Sequence, residues 1–272
     1  MSDADRFLVL DIETVSDEHV LTHFPERAQS ITVPPPIANR ILAISFLSGC
    51  IEGEGRAARF IAERGGSLGT ANTSEADLLR EFWRGMKGRL PLIVTWNGRC
   101  FDIPVILHRS LLHGVSAAPW FQTIGSRYDG YAFRYGYRHI DLMDVIADYG
   151  AIRSYGLDFV ASILGLPGKI GGHGSEFQGM FERGELEKIR AYCECDCLNL
   201  FGLYLHWCML IGRIDETGFD DCRKLFEAFL EKERPTRPHY GEFLDGWRNP
   251  AAIPKMASIE MERPHDGTSE SP

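Results

Sequence analysis

The sequence predicts an α/β layered domain with a mixed sheet. Three apolar runs of strand length come early, at residues 7–14, 40–49 and 58–63. From Ser74 onward, helix-like and strand-like segments alternate. The longest segment starts at Glu185 and carries Leu186, Ile189, Cys193, Cys197, Leu200, Tyr204, Trp207 and Ile211, the three-and-four spacing of one helical face.

FLVLDIET (7–14) is a near-continuous apolar run and reads as a buried central strand. RILAISFLSG (40–49) and ARFIAE (58–63) continue it as a three-strand meander, with SITVPPPIAN as the connection before them. Ser74 opens SEADLLREFWRGMKG, with Asp77 three positions on as an imperfect capping box and Leu78, Phe82 and Met86 on one face, so a helix follows. LPLIVTW (90–96) is a fourth buried strand ending at Asn97-Gly98. FDIPVILHRSLLHG (101–114) is a helix with Pro104 in its first turn, where the missing N–H has no partner to lose. RHIDL (138–142) reads as a short fifth strand, YGLDFVASILGL (155–166) as a helix and 185–212 as the long helix. Beyond Arg213, Phe219, Cys222, Phe226 and Phe229 mark one more amphipathic helix.

The chain has 272 residues, 44% hydrophobic and 25% charged, enough for one substantial core. Residues 1–212 are expected to form the main domain, 213–248 a helical extension packed on it, and the polar stretch 249–272 a disordered tail. Seven cysteines at irregular spacings argue against a disulfide framework and for a reducing compartment. MSDADR is acidic and fits neither a signal nor a transit peptide, and no apolar run approaches the ~18 residues of a membrane span. A cytoplasmic, membrane-free protein is expected. A net charge of −9 opposes non-specific binding to a polyanion, which would have to be held locally by metal ions on carboxylates or by a small basic patch.

AYCECDCLNLFGLY (191–204) raises the possibility of a thiol metal site, in which each sulfur must come within about 2.3 Å of the ion. At about 100° per residue, Cys193 and Cys197 share the apolar stripe while Cys195 points away, so the three do not converge. Packing thiols are the expectation, with Cys195 tolerant of Ser; a zinc or redox protein built on them is the weaker reading. Tyr192 and Asp196 lie one turn apart beside the stripe, and a charge set so close to a core needs a partner.

Asp11 and Glu13, two apart, project from one face at the C-terminal end of the first strand. Such a pair attracts divalent metal, or else marks a solvated strand end. Asp102 sits at the mouth of a helix just past a buried strand, either as an N-cap or as a third carboxylate at the same sheet end.

The trio DIET, N-x3-FD and Y-x3-D, in this order, resembles the DnaQ-like (DEDD) 3'-5' exonucleases of the ribonuclease H-like superfamily. The likeness is to the stand-alone predicted exonucleases related to the proofreading domain of family B DNA polymerases, and it covers roughly residues 5–212. Ala191 stands five before Asp196, where the other subtype has His, so the chain looks like the tyrosine subtype. The resemblance implies a ribonuclease H-like five-stranded mixed sheet flanked by helices. It implies that Asp11, Glu13, Asp102 and Asp196 ligate two Mg²⁺ or Mn²⁺ ions, with Asp11 the bridge, and that Tyr192 orients the attacking water. Hard carboxylate oxygens suit those ions and thiolates do not. The expected activity is 3'-5' cleavage of a single-stranded DNA or RNA end; the alternative is a nucleic-acid-binding module that keeps the fold and does not cut.

Asn97 and Phe101 match the second motif, where the aromatic ring stacks on terminal bases or simply packs at a helix start. Thr14 and Val15 are expected to line the pocket for the terminal nucleoside. RYDGYAFRYGYRH (127–139) interleaves Arg127, Arg134 and Arg138 with aromatic residues including Tyr135. It reads as a hairpin that grips a single strand, or as an ordinary edge hairpin. Lys169, in a glycine-rich loop, is a candidate phosphate contact. His139, Asp141 and Asp144 are read as ordinary polar residues of a strand end.

Overall fold

The computed structural model describes residues 6–23, 34–53, 55–88, 90–123, 126, 128–168 and 176–250. Lys169, Arg127 and all but the first two residues of the expected tail lie outside these residues.

Five strands form one mixed sheet: β1 (Arg6–Ser16), β2 (Asn39–Glu52), β3 (Arg59–Ser67), β4 (Leu92–Thr95) and β5 (His139–Asp141). Their order is β3-β2-β1-β4-β5, with β1 central as its apolar run predicts. β1, β2 and β3 pair antiparallel as a meander, whereas β4 joins β1 and β5 joins β4 in parallel. The meander strands run longer than the apolar runs because backbone ladders continue past the last buried side chain, as at Arg64, Gly65 and Gly66 opposite Ser48, Leu47 and Phe46.

Alternation along β1 divides the molecule into two cores. Phe7 and Val9 face one side, packed with Leu47, Phe60 and Val94 against Phe201, Tyr204 and Leu205. Those last three belong to a helix that runs antiparallel to β1. Leu10 and Ile12 face the other side, against two helices reached through Leu78, Phe82, Ile103 and Ile106. In chain order the helices are α1 (Glu18–Thr22), α2 (Glu75–Met86), α3 (Asp102–Leu112), α4 (Ala118–Phe121), α5 (Leu142–Ile146) and α6 (Leu157–Ile163). They continue with α7 (Phe177–Glu182), α8 (Leu186–Leu210), α9 (Glu216–Glu233) and α10 (Pro238–Arg248). α2 starts as its cap predicts, the Ser74 hydroxyl accepting from Asp77 N.

α8 departs from the single apolar stripe read in its sequence. It is buried on nearly all sides from Ile189 to Cys208, including Cys195 at 1% exposure. The sheet covers one side, and Cys222, Phe226, Phe229, Tyr240, Phe243 and Trp247 of α9 and α10 join its core on the other. Cys195 is thus a packing thiol on the side away from the stripe, and its expected tolerance of Ser is corrected. The helical extension expected over 213–248 holds a second helix, α10, beside the one its phenylalanines mark; Pro238 opens it at a position suited to proline, and Tyr240, Phe243, Leu244 and Trp247 supply the buried face.

Candidate active site

Because Phe7 and Val9 face α8, Asp11 and Glu13 follow them onto the same face, both half-buried. Their β2 partners are small, Ser45 opposite Asp11 and Ala43 opposite Glu13, and the pairing slips by one residue just beyond Glu13. Small side chains there leave room for α8 to approach the sheet. A ligand atom from each of Asp11, Glu13 and Cys193 lies within 4.8 Å of the other two.

Asp102 is delivered by a turn. Asn97 adopts a left-handed φ of 62° and Gly98 packs so tightly that an added Cβ would lie 2.4 Å from the Thr95 side chain. Asp141, at the end of β5, fixes this turn by accepting from Asn97 N at 2.8 Å and Arg99 N at 2.9 Å, and its Oδ1 also faces Asp144 N at the start of α5. Asp102 is the first residue of α3 and only 3% exposed; Phe101 holds the N-cap position, and no side chain caps the helix. The N-cap alternative for Asp102 is thereby corrected. The parallel ladder between β1 and β4 stops at Val9, and beyond it the Ile12 N–H donates to the Asp102 carboxylate.

α8 brings the remaining groups. Tyr192 is buried against Val15, Leu42, Met180 and Ile189, with its ring edge-on to Phe177 at 5.0 Å. Burial, and then the charge of Asp196, pushes its phenol well above the ordinary tyrosine value, and its hydroxyl donates to Asp196. Tyr192 is therefore a neutral hydrogen-bonding group at physiological pH, not a base. Burial likewise pushes the Cys193 and Cys197 thiols up, so both stay protonated as packing groups. Cys193 also donates to Asp11 Oδ2 at 3.2 Å, a contact its place in the apolar stripe gave no sign of.

The carboxylates feel one another. Burial, then the charges of Asp102, Glu13 and Asp196, raise the Asp11 carboxyl well above the usual range. Burial pushes Asp102 up to about 7, opposed by its own N–H, with the charge of Asp141 adding to the rise. Four acids of three distant segments thus meet at the C-terminal end of β1, where shared negative charge is costly without a cation. An all-oxygen donor set of this kind fits hard divalent ions.

The stretch 35–247 matches the family model described as a predicted 3'-5' exonuclease related to the exonuclease domain of PolB. The chain belongs to this family of predicted exonucleases. The matched stretch contains Asn97, Phe101, Asp102, Tyr192 and Asp196; β1, with Asp11 and Glu13, precedes it. It also runs past residue 212 through α9 and most of α10. Among solved structures, a family B DNA polymerase from the hyperthermophilic archaeon Pyrobaculum calidifontis is similar at 18% identity with a TM-score of 0.50, over 86% of this chain and 29% of that one. That likeness shows the fold: the mixed five-stranded, ribonuclease H-like sheet flanked by helices. No curated protein matches the chain. Among the described residues, no helix of this exonuclease-family chain is long and apolar enough to cross a membrane.

The predicted substrate contacts fare unevenly. Thr14 is half-buried beside Glu13, but Val15 is 6% exposed and packs on Tyr192 within the core, so it supports the site rather than lining it. Phe101 packs partly against the Leu10 core. Residues 128–138 are a chain of turns with a single bridge, Thr123 to Gly130, and not a hairpin. Tyr131 is fully buried, stacked on Trp120 at 5.3 Å and donating to Pro91 O, while Arg138 is buried between Asp129 and Leu90 O. Those two residues hold the fold. Arg134 pairs with Asp144 at 2.8 Å at the rim of a cavity of about 250 Å³, and Tyr135, 65% exposed, stacks edge-on to Tyr149 there.

Sequence reasoning missed two buried groups that place these elements. Arg109 of α3 holds Glu75 through two hydrogen bonds and also donates to Asp17, which caps α1, and to Ile37 O. Asp141 was set aside as an ordinary strand-end residue. Arg109 has no local signature, since its partners lie far away in sequence; Asp141 caps α5 through Asp144 N, as a strand-end and helix-start residue does, and only its bonds to Asn97 N and Arg99 N are long-range.

Proposed function

We propose that the chain is a metal-dependent 3'-5' exonuclease that hydrolyses phosphodiester bonds at single-stranded 3' ends. The observation that carries this reading is the meeting of Asp11, Glu13, Asp102 and Asp196 with Tyr192 at one end of β1. Asp11, Glu13, Asp102 and Asp196 would hold two Mg²⁺ or Mn²⁺ ions, with Asp11 between them. Such a pair supplies an activated water and charge stabilisation for the leaving 3'-oxygen.

The chain's own residues do the positioning. Since the Tyr192 hydroxyl spends its proton on Asp196, its oxygen keeps acceptor capacity with which it can orient the attacking water. The turn fixed by Asp141 sets Asn97 and Phe101 beside Asp102, where a terminal nucleoside would bind, and half-buried Thr14, next to Glu13 on β1, is proposed as a further contact to it. Arg134, Tyr135 and Lys169 are proposed as contacts to the strand farther from the cut. Tyr135 offers an exposed ring to a base, whereas Arg134 must exchange Asp144 for a phosphate.

End-labelled single-stranded DNA and RNA, incubated with the protein in Mg²⁺ or Mn²⁺ and in chelator, test the reading. A ladder shortening from the 3' end, absent in chelator, is expected. Shift of the oligonucleotide without cleavage in any metal would replace the nuclease by a binding module.

A further inference from the structure

A hydrogen-bonded chain runs under α8 from Asp11 to the last helix. The Cys193 thiol, fully buried, donates to Asp11 Oδ2 at 3.2 Å, and Ser45 hydrogen-bonds the same sulfur. Ser45 Oγ lies 2.8 Å from Ser67 Oγ, and Ser67 donates to Glu194 Oε1 at 2.7 Å. Glu194 Oε2 meets His239 Nε2 of α10 at 2.8 Å, with Arg237 at 3.6 Å. Three protons serve the four links from Asp11 to Glu194: the thiol proton goes to Asp11, the Ser67 proton goes to Glu194, and Ser45 gives its single proton to the Cys193 sulfur or to Ser67 Oγ, one at a time. The path draws on β1, α8, β2, β3 and α10, with α8 contributing both Cys193 and Glu194, and its hydrogen bonds are partly buried.

We infer that Cys193 is a positioning residue: its thiol holds one oxygen of Asp11 and so fixes how that carboxylate presents itself to a cation, while the Ser45–Ser67–Glu194 path holds Cys193. The inference rests on Asp11 as a metal ligand. A ligating carboxylate is held by hydrogen bonds from its surroundings, and loss of such a partner weakens metal affinity or activity about 10- to 100-fold. A thiol suits the place because its weak hydrogen bond restrains the carboxylate without competing strongly with the ion. If Cys193 were only a packing group, nothing would require its sulfur to face Asp11 and Ser45.

Packing and positioning predict opposite orders for two substitutions. Cys193→Ser keeps a donor but puts a hydroxyl where packing wants an apolar atom; Cys193→Ala removes the donor at less cost to packing. Mn²⁺ affinity of the full-length chain is measured by electron paramagnetic resonance of the free ion, beside thermal melting and oligonucleotide hydrolysis. Positioning predicts that Cys193→Ala weakens Mn²⁺ binding about 10- to 100-fold with a nearly unchanged melting temperature, while Cys193→Ser stays near wild type. Ser45→Ala should weaken it in the same direction and by less. Equal, wild-type affinity in Cys193→Ala and Cys193→Ser overturns the inference, as does a parallel loss of affinity and melting temperature in both. A wild-type chain that binds Mn²⁺ but cuts nothing would defeat the nuclease reading and leave this comparison intact. One that binds no Mn²⁺ would defeat both.

Discussion

Tyr192 and Asp196 show how one helical turn separates roles. The phenol is buried and committed to Asp196, so in the proposed reaction its part is to orient the attacking water. Tyr192→Phe keeps the ring packed on Phe177 and removes only the hydroxyl. Steady-state hydrolysis of a single-stranded oligonucleotide should slow about 10- to 1000-fold, with melting temperature and Mn²⁺ affinity close to wild type. A wild-type rate would remove Tyr192 from the site. That Asp11, Glu13, Asp102, Tyr192 and Asp196 come together was legible because each motif is local, a strand alternation or a helical turn; their chemical roles belong to the proposed function. Cys193 is buried in the apolar stripe as its spacing predicts, whereas Cys195 was set opposite that stripe and expected to tolerate Ser, because periodicity tells which face a residue occupies, not what other segments cover that face. With Cys195 buried among α9 and α10 side chains, Cys195→Ser now carries the cost of a hydroxyl in an apolar core, contrary to the tolerance expected from sequence.

At the scale of elements, β1, α2, α3 and α8 follow from apolar period, with a side-chain cap at α2, and the mixed five-stranded sheet follows from a meander succeeded by alternation. What the sequence concealed was fixed by long-range polar contacts. Arg109 is one: it locks α3, which carries Asp102, to Glu75 of α2 and to Asp17 just past β1. Arg109→Met should cost about 3–5 kcal/mol in denaturant unfolding, because Glu75 is left buried and without its main partner. A loss below 1 kcal/mol would mean that Glu75 finds water or His113 suffices. The segment 128–138 erred in the other direction, since its alternation of basic and aromatic residues looked like a binding strip while Tyr131 and Arg138 were being used inside the fold.

Over the whole molecule, a chain of net charge −9 gathers four carboxylates in one place, three of them half-buried and Asp102 buried, and its stability is expected to depend on pH and on cations together. Asp102 is raised to about 7, and Asp11 is raised as well. A carboxyl with a raised folded-state value contributes stability that is fully present below its unfolded value near 4 and is lost as pH rises through the folded value. Metal-free protein should therefore melt at progressively lower temperature between pH 5 and 8. Added Mg²⁺ or Mn²⁺ should restore the loss, so the cation-induced rise in melting temperature grows with pH. A rise that is flat or shrinks across this range would contradict the buried-acid description of the site.

Direct counting of bound Mn²⁺ at pH 8 tests most plainly whether these four carboxylates form one metal site. Wild-type protein is predicted to take up two ions per chain, and Asp11→Asn, folded with an unchanged circular dichroism spectrum, to lose at least one of them together with 3'-end cleavage. Two ions retained by Asp11→Asn, or cleavage that persists without them, would contradict the account.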